Sequence, residues 1–560
     1  MSSQPQSDEP MPNSPGPDSP SQGSWPSKER IIWFSSIAIG LYGYDQGMMS
    51  MVNTNRSYLR TMGIAGDVCI NGLVGIIVSV YYLGCLLGSI IASYWADKKG
   101  RKAAVVACLI TSIIGDIMMF LPGIYPYGHD SSWQGGSRIL MILGRVVLGL
   151  GIGGIDAVVP VYSSEIAKDD TRGAALAKEF QWNIGGLLLA FAINLLSTRV
   201  IWSKDDQWAW RLPIIFMQVG PLVLLLLVWK LPESPRWFIS KNRPQDAKTA
   251  LTSVHGNTLA EEMFRQLQTA QQGGNNDKLG ISDMVLPKGS QFRPTVITVM
   301  GQVNQALTGY GAVSVYGPQI FALLGLNVAK AEYVTLANYI FYWVMMTFAW
   351  KGTIDDWGRR KLMVWGSMGL TCCYMALTIL GSASVKFHDR PQLWVEIIGS
   401  IFLFISTAIF GICWLATVWL IPTEIYPNGA RAKGSAISVI VWGVFNFLVT
   451  LLTPIGFNHL KYWLFLVFVV TNILAGLLTW LFSPETGGRS FEENQTFFIS
   501  AREEGYWMVK KVAGGKFLTM PPKENDAENA EEERAKDGPS ETTPLLNNKT
   551  NQDEHTTEDN

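Results

Sequence analysis

The chain has 560 residues, with 44 Lys+Arg against 45 Asp+Glu, a net charge of -1 and only 16% charged residues. Soluble proteins carry about 25% charged residues; here 48% hydrophobic residues, with 21 Trp and 25 Phe, take their place. Without a basic excess a nucleic-acid partner has no electrostatic support. Six Cys in so long a chain, several inside apolar runs, do not read as a disulfide or zinc framework.

In chain order, the first 27 residues are rich in Ser and Pro and read as a disordered tail. A bilayer core of about 30 Å takes roughly 20 apolar helical residues to cross. Twelve such runs follow, at 31–51, 71–95, 103–122, 139–163, 180–198, 212–229, 295–325, 333–350, 362–383, 397–423, 434–457 and 462–483. They predict an all-α membrane protein with twelve transmembrane helices. Its expected parts are a tail (1–30), a six-helix half (31–231), a linker with helices (232–293), a second half (294–484) and a tail (485–560) that ends acidic and disordered. The linker segment AEEMFRQLQTAQQ has the spacing of an amphipathic helix. Lys and Arg concentrate in the loops at 97–102, 168–178, 355–361 and 431–433. Positive loops stay in the cytoplasm, so both termini and the linker are expected there.

The charged loops repeat. Asp97-x-x-Gly100-Arg101 returns 258 residues later as Asp355-x-x-Gly358-Arg359. Glu165-x6-Arg172 returns 259 residues later as Glu424-x6-Arg431. Pro232-Glu233-Ser234 closes the sixth run as Pro484-Glu485-Thr486 closes the twelfth. Two similar offsets in two loop pairs predict two six-helix halves related by a parallel repeat, with a site between them near the midplane. Asp97, Arg101, Glu165, Arg172, Asp355, Arg359, Glu424 and Arg431 then form a cytoplasmic gate, in which Glu165–Arg172 and Glu424–Arg431 could be ion pairs.

Away from the run ends, four charges remain: Asp45, Asp116, Arg145 and Asp156. Charges inside a membrane are costly and usually mark a function. Asp45 and Arg145 lie at similar depth, so they form either a permanent lock or a switchable pair. Asp156 is nearer the cytoplasm, where it is expected to meet water or a hydroxyl. Gly149-Leu150-Gly151-Ile152-Gly153-Gly154 matches GxGxxG, but without a βαβ context it reads as close helix packing rather than a nucleotide site. The five His fall in loops and the tail, so neither a metal cluster nor a cofactor is expected. Asn55-Arg56-Ser57 is a glycosylation sequon set close to the first run. Glu541, Leu545 and Leu546 fit an acidic dileucine pattern through which a sorting adaptor could direct the chain to a vacuolar or endosomal membrane.

From about residue 40 to 490 the chain resembles the sugar porter family of the major facilitator superfamily. The resemblance rests on Gly43-Tyr44-Asp45-Gln46-Gly47, the DKKGRK loop, Gly144-Arg145, Pro160-Val161-Tyr162-Ser163-Ser164-Glu165 and Pro232-Glu233-Ser234-Pro235-Arg236-Trp237. In the second half it rests on Gln305-x-x-Thr308-Gly309, DDWGRRK, Trp419-x-x-Pro422-Thr423-Glu424-Ile425-Tyr426-Pro427 and Pro484-Glu485-Thr486. The family implies the major facilitator fold and transport of a polyhydroxylated solute by alternating access, here as a proton-coupled importer at the plasma membrane. It favours the switchable reading of Asp45 and Arg145, with Asp116 as a further proton-coupling candidate.

For the substrate the resemblance carries over Gln305, the seventh-helix aromatic Tyr316, the tenth-helix Trp419 and Asn446. Where the family has further amides, this chain has Ala306, Gly311, Trp343 and Trp442, and Phe180 with Gln181 beside it. One helical step turns a side chain by about 100°. Gln302, Asn304 and Asn183 are candidate replacements. The expected substrate-binding set is therefore Gln181, Gln302, Gln305, Tyr316, Trp343, Trp419, Trp442 and Asn446. Fewer amides and more aromatics leave open a facilitator or exporter of a less hydroxylated or glycosylated metabolite, and a nutrient receptor on a transporter scaffold. No nucleophile–base constellation points to an enzyme.

Overall fold

The computed structural model describes residues 27–64, 72–124, 131–166, 172–273, 280–386, 393–427 and 430–521. The expected N-terminal tail to residue 26, Lys168 and the dileucine residues Glu541, Leu545 and Leu546 lie outside the described residues.

The first half contains α1 (Ser27–Val52), the short α2 (Arg56–Thr61), α3 (Gly72–Lys99), α4 (Arg101–Phe120), α5 (Ser131–Ile166) and α6 (Arg172–Leu196). A π-helical turn (Ser197–Ile201) continues α6, and α7 (Gln207–Met217) with α8 (Val219–Val228) completes the half. Between the halves come α9 (Pro235–Ser240), α10 (Pro244–His255), α11 (Asn257–Gly273), which holds the expected amphipathic stretch, and α12 (Ile281–Val285). The second half begins with α13 (Phe292–Leu307), α14 (Tyr310–Val315), α15 (Gly317–Leu323) and α16 (Val328–Phe348). After a π turn (Ala349–Thr353) follow α17 (Ile354–Trp357), α18 (Arg359–Lys386) and α19 (Leu393–Phe410). A second π turn (Gly411–Leu415) leads to α20 (Ala416–Ile425), α21 (Arg431–Leu460), α22 (Leu464–Phe482) and α23 (Phe491–Glu503).

Among the described residues, 8 helical stretches have the length and apolarity to cross a membrane, and one of them, Lys433–Phe482, holds both of the last two runs. The other three runs are interrupted or carry buried polar residues. They are α1 with Asp45 and Gln46, the broken α13–α15, and α16 with Glu332 and Asn338. The exterior is apolar in stripes of helical spacing. Leu87, Ile90 and Ile91 on α3, Ile110, Ile114 and Ile117 on α4, and Ile397, Ile401 and Ile405 on α19 are all exposed. In water each would cost about 1.5–3 kcal/mol relative to burial; against lipid tails that cost disappears.

Three runs expected as single helices are broken, each for a local reason. Pro221 cannot donate to the preceding turn, and α7 gives way to α8 just before it. Gly309 takes φ +83, a left-handed value that ends α13, while Pro318 follows the second break, at Tyr316. Gly411 opens the π turn, where an added Cβ would come within 2.4 Å of the Tyr342 ring.

Small residues bring the first-half helices together. A Cβ on Gly149 would meet the Tyr81 carbonyl oxygen at 2.2 Å, and one on Gly153 would lie 2.2 Å from Cα of Cys85. On α1, Gly43 and Gly47 lie against the carbonyls of Asn183 and Leu187 of α6. The GxGxxG segment thus lies where α5 touches α3, as close packing requires. Asn55 of the sequon is fully buried and its side chain accepts the Tyr58 N–H. We expect Gly153→Val to separate α3 from α5 and cost about 1–3 kcal/mol or more. A lowered melting temperature of the detergent-purified protein would show this, with Gly135→Ala, which meets nothing within 4 Å, as the unchanged control.

Candidate functional site

Asp45 of α1 and Arg145 of α5 form an ion pair, and both side chains are shut off from solvent. Asp45 is one acceptor among several for this guanidinium. Arg145 Nε also donates to the Ile77 carbonyl at 3.3 Å and Nη2 to the Val78 carbonyl at 3.1 Å, both on α3. Its flat face lies 4.7 Å from the Tyr81 ring centroid. Asp116 on α4 is equally buried, and neither carboxylate oxygen has a hydrogen-bond partner among the described residues. Asp156 is buried as well, with Oδ1 unpartnered.

Beside Asp45, the next residue opens onto a cavity. It is narrow, with about 30 Å³ of room, and is lined from both halves. The first half supplies Tyr42 and Gln46 from α1 and Asn183 from α6. The second supplies Gln305 and Ala306 from α13, Tyr310, Gly311 and Ser314 from α14, Phe410 and Leu415, Trp419 from α20, and Trp442 and Asn446 from α21. Its aromatic walls and few fixed amides are those of a small-molecule site, but this closed state has room for little more than a water, so the walls must part to admit a solute.

The helix breaks orient the polar groups. Gln305 Nε2 donates to the carbonyls of Trp414 and Leu415 at 3.2 and 3.1 Å, within and at the end of the π turn. With both partners acceptors, the amide nitrogen must face them, which leaves Oε1 as the free polar group. Asn183 Nδ2 donates to the Ile39 carbonyl at 3.1 Å, and Asn446 Nδ2 to that of Trp442 at 2.9 Å. Gln46 Nε2 bonds the hydroxyls of Tyr42 at 2.5 Å and Tyr82 at 3.3 Å. The aromatics make a connected wall. Trp442 meets Tyr42 edge-on at 5.1 Å, Tyr82 at 5.3 Å and Trp419 at 5.9 Å, and Tyr310 stacks on Phe410 at 4.1 Å.

Four of the eight residues expected at the substrate are not among those that line this cavity. Gln181 is consumed at the seam between the halves. Its Nε2 donates to the Trp343 carbonyl at 3.1 Å and to Thr347 Oγ1 at 2.8 Å, and its Oε1 accepts from Trp350 at 2.7 Å. Trp343 lies in the same seam against Gly185 of α6. Gln302 turns to α21, donating to Ser438 Oγ at 2.5 Å. Tyr316 is buried and its hydroxyl donates to the Thr450 carbonyl at 3.0 Å. Gln305, Trp419, Trp442 and Asn446 do line the cavity, as does the candidate replacement Asn183. Tyr42, Gln46, Tyr310, Ser314 and Phe410 escaped the sequence reading. Gln46 alone carried a signal there, as an amide next to an intramembrane aspartate.

At the end of the bundle that carries the charged loops, the duplicated motifs fold into duplicated clusters. In the first half Arg101 bonds Asp97 at 2.8 Å and Glu165 at 3.1 Å, and Ser234 Oγ donates to Glu165 at 2.5 Å. Glu233 accepts the first backbone N–H groups of α4, from Arg101 at 2.9 Å and Lys102 at 3.1 Å. In the second half Arg359 bonds Asp355 at 3.1 Å and Glu424 at 2.7 Å, and Thr486 Oγ1 donates to Glu424 at 2.5 Å. Glu485 accepts the N–H groups of Arg359 at 2.9 Å and Arg360 at 3.1 Å. The glycines fit this arrangement, since a Cβ on Gly100 or Gly358 would lie 2.4 Å from the Glu233 or Glu485 carboxylate. Burial raises the Glu485 carboxyl above its ordinary value, and the N–H groups of Gly487 and Arg359 with the Arg359 guanidinium pull it back.

Glu165 thus bonds Arg101 across helices, whereas its sequence spacing had suggested Arg172, whose side chain lies outside the described residues. Arg431 is buried at the start of α21, and Glu424 is taken by Arg359. Glu233, Ser234, Glu485 and Thr486 join the clusters; their signal was the repeated Pro-Glu-Ser/Thr closing each half.

Comparison with known proteins agrees with this architecture. Residues 32–498 match the family model described as Sugar (and other) transporter. The chain is 26% identical over 476 residues to the D-xylose-proton symporter of Escherichia coli (strain K12), covering 81% of this chain and 92% of that one. It is 28% identical over 488 residues to the high glucose sensor RGT2 of Saccharomyces cerevisiae, covering 83% of this chain and 60% of that one. Its fold is similar to a solved structure of the proton:xylose symporter XylE bound to 6-bromo-6-deoxy-D-glucose. The TM-score is 0.71 at 24% identity, covering 84% of this chain and 99% of that one.

Replacing Glu233 or Glu485 by Gln would set an NH2 group against backbone donors at the start of α4 or α18. Each change should lower stability by about 1–3 kcal/mol, read as an earlier thermal unfolding of the purified protein. Neither Lys230→Gln nor Lys511→Gln, away from both clusters, should do so.

Proposed function

The chain belongs to the sugar (and other) transporter family, a multi-pass integral membrane transporter rather than an enzyme, and on that premise we propose a proton-coupled symporter. It imports a monosaccharide or related polyhydroxylated solute by alternating access, at the plasma membrane with both termini cytoplasmic. The observation that carries this reading is the buried Asp45–Arg145 pair set one residue from a two-sided cavity of amides and aromatics.

The pair supports coupling because its two members are held unequally. A proton on Asp45 ends the charge attraction but does not strand Arg145, which keeps two carbonyl acceptors on α3 and the face of Tyr81. Stranding a buried charge would cost several kcal/mol; with those partners in place the exchange is affordable, and α1 is released from α5. Asp116 stands as the second proton-coupling candidate, since both of its oxygens lack a hydrogen-bond partner among the described residues.

In the cavity the solute's hydroxyls donate to Gln305 Oε1 and to the oxygens of Asn183 and Asn446, while its C–H faces lie on Trp419 and Trp442. The two clusters at 97–101/165/233–234 and 355–359/424/485–486 fix the cytoplasmic ends of the helices as each half moves.

The test is uptake of a labelled panel of sugars and polyols into proteoliposomes under an imposed pH gradient. Accumulation should follow the gradient and vanish with a protonophore; indifference to both would refute the coupling. Asp45→Asn should lower accumulation about tenfold or more, roughly 1.4 kcal/mol or beyond in coupling, while solute exchange persists. Accumulation equal to wild type would remove Asp45 from the mechanism. The sensor among the relatives sets the second reading, in which no panel solute moves at any pH.

A further inference from the structure

A third charge cluster lies at the opposite end of the bundle from the duplicated loops, and unlike them it crosses between the halves. Glu332, one turn into α16, has no side-chain exposure. Its Oε2 accepts from Arg199 Nε at 2.9 Å and Nη2 at 2.6 Å, and its Oε1 meets the Lys204 ammonium. Both cations belong to the first half. Arg199 is in the π turn that ends α6, and Lys204 is in the loop that leads to α7.

The first half holds this loop in place by itself. The Lys204 carbonyl accepts the Ser57 N–H of α2 at 3.1 Å. Its neighbour Asp205 turns the other way, toward Arg60 at 3.3 Å and Arg56 at 3.9 Å, also on α2. Ser197 Oγ ties the π turn to the Ala209 carbonyl at 2.7 Å. The segment that carries the two cations is thus tied to α2 and α7 by contacts within the first half. The carboxylate is fully buried, and its cationic partners come from the other half.

We propose that Glu332, with Arg199 and Lys204, is the gate that closes the outer end of the cavity. The inference rests on the transport reading and on the orientation given by the loop charges. The two cytoplasmic clusters each lie within one half and can persist whichever way the cavity faces. The Glu332 group spans the halves, so it has to break when the outer end opens, and Glu332 must then be rehydrated. Its loss therefore favours the outward-open state.

The test reads access directly and needs no known substrate. In the full-length protein in sealed vesicles, Ser314→Cys places a thiol in the cavity wall, to be labelled from outside by a membrane-impermeant maleimide over the background of the native cysteines. Adding Glu332→Gln should speed outside labelling about tenfold, the change expected from removing roughly 1.4 kcal/mol of preference for the closed state. A change smaller than twofold overturns the gate. Joint reversal, Arg199→Glu with Lys204→Gln and Glu332→Arg, should return labelling toward the starting rate. Labelling that stays fast there means that the fold has merely loosened, and also overturns it. If labelling responds as expected while no solute is transported, the gate stands and the transport reading falls. If solutes move under the pH gradient while labelling ignores Glu332, the gate alone falls.

Discussion

Hydrocarbon offers a polar or charged group no water to return to, so such a group inside this bundle is costly unless the protein supplies it a partner. That constraint organises the core. Arg145 is not merely paired with Asp45 but is also held by two main-chain carbonyls and an aromatic face. The amide nitrogens of Gln305, Asn183 and Asn446 each donate to a carbonyl. The exterior shows the inverse, with isoleucine and leucine stripes facing lipid at no cost.

The irregular backbone follows from the same constraint. A regular helix satisfies its own carbonyls and has none to spare, so a site that binds through side chains also needs places where the ladder is interrupted. The π turn at Gly411–Leu415 and the left-handed Gly309 are such places. They let Gln305 be anchored by its nitrogen, and they swing Tyr310, Gly311 and Ser314 of α14 into the cavity wall. Glycine on the first-half helices serves another end, bringing α1 against α6 and α3 against α5 at main-chain contact.

The two halves repeat a unit in which an arginine at a helix start gathers a carboxylate from its own loop and another from a neighbouring helix end. A glutamate that closes the half caps the first N–H groups of the same helix. The positively charged end of a helix dipole and a buried carboxylate stabilise one another. The contacts of each unit named here stay within its own half. Polar links between the halves come from other groups, among them the amide of Gln181 along the seam and Glu332 at its far end.

What was legible in the amino-acid order was whatever repeats or is missing at membrane-spanning length. The twelve apolar runs, the duplicated loops, the Asp45–Arg145 depth match and the glycine packing all follow from local composition and periodicity. Gln305, Trp419, Trp442 and Asn446 were reachable because their positions match a recurring motif pattern. Tyr316 and Trp343 stand at positions of that pattern, and Gln181 and Gln302 were read as neighbours of such positions, yet all four contact a seam or a neighbouring helix. The partner of Glu165 and the cavity roles of Tyr42, Tyr310 and Phe410 could not be read off either. Composition and spacing determine which helices form and roughly how deep each residue lies. Only tertiary packing sets the rotation of each helix about its axis and the places where it breaks, and these decide which side chains meet.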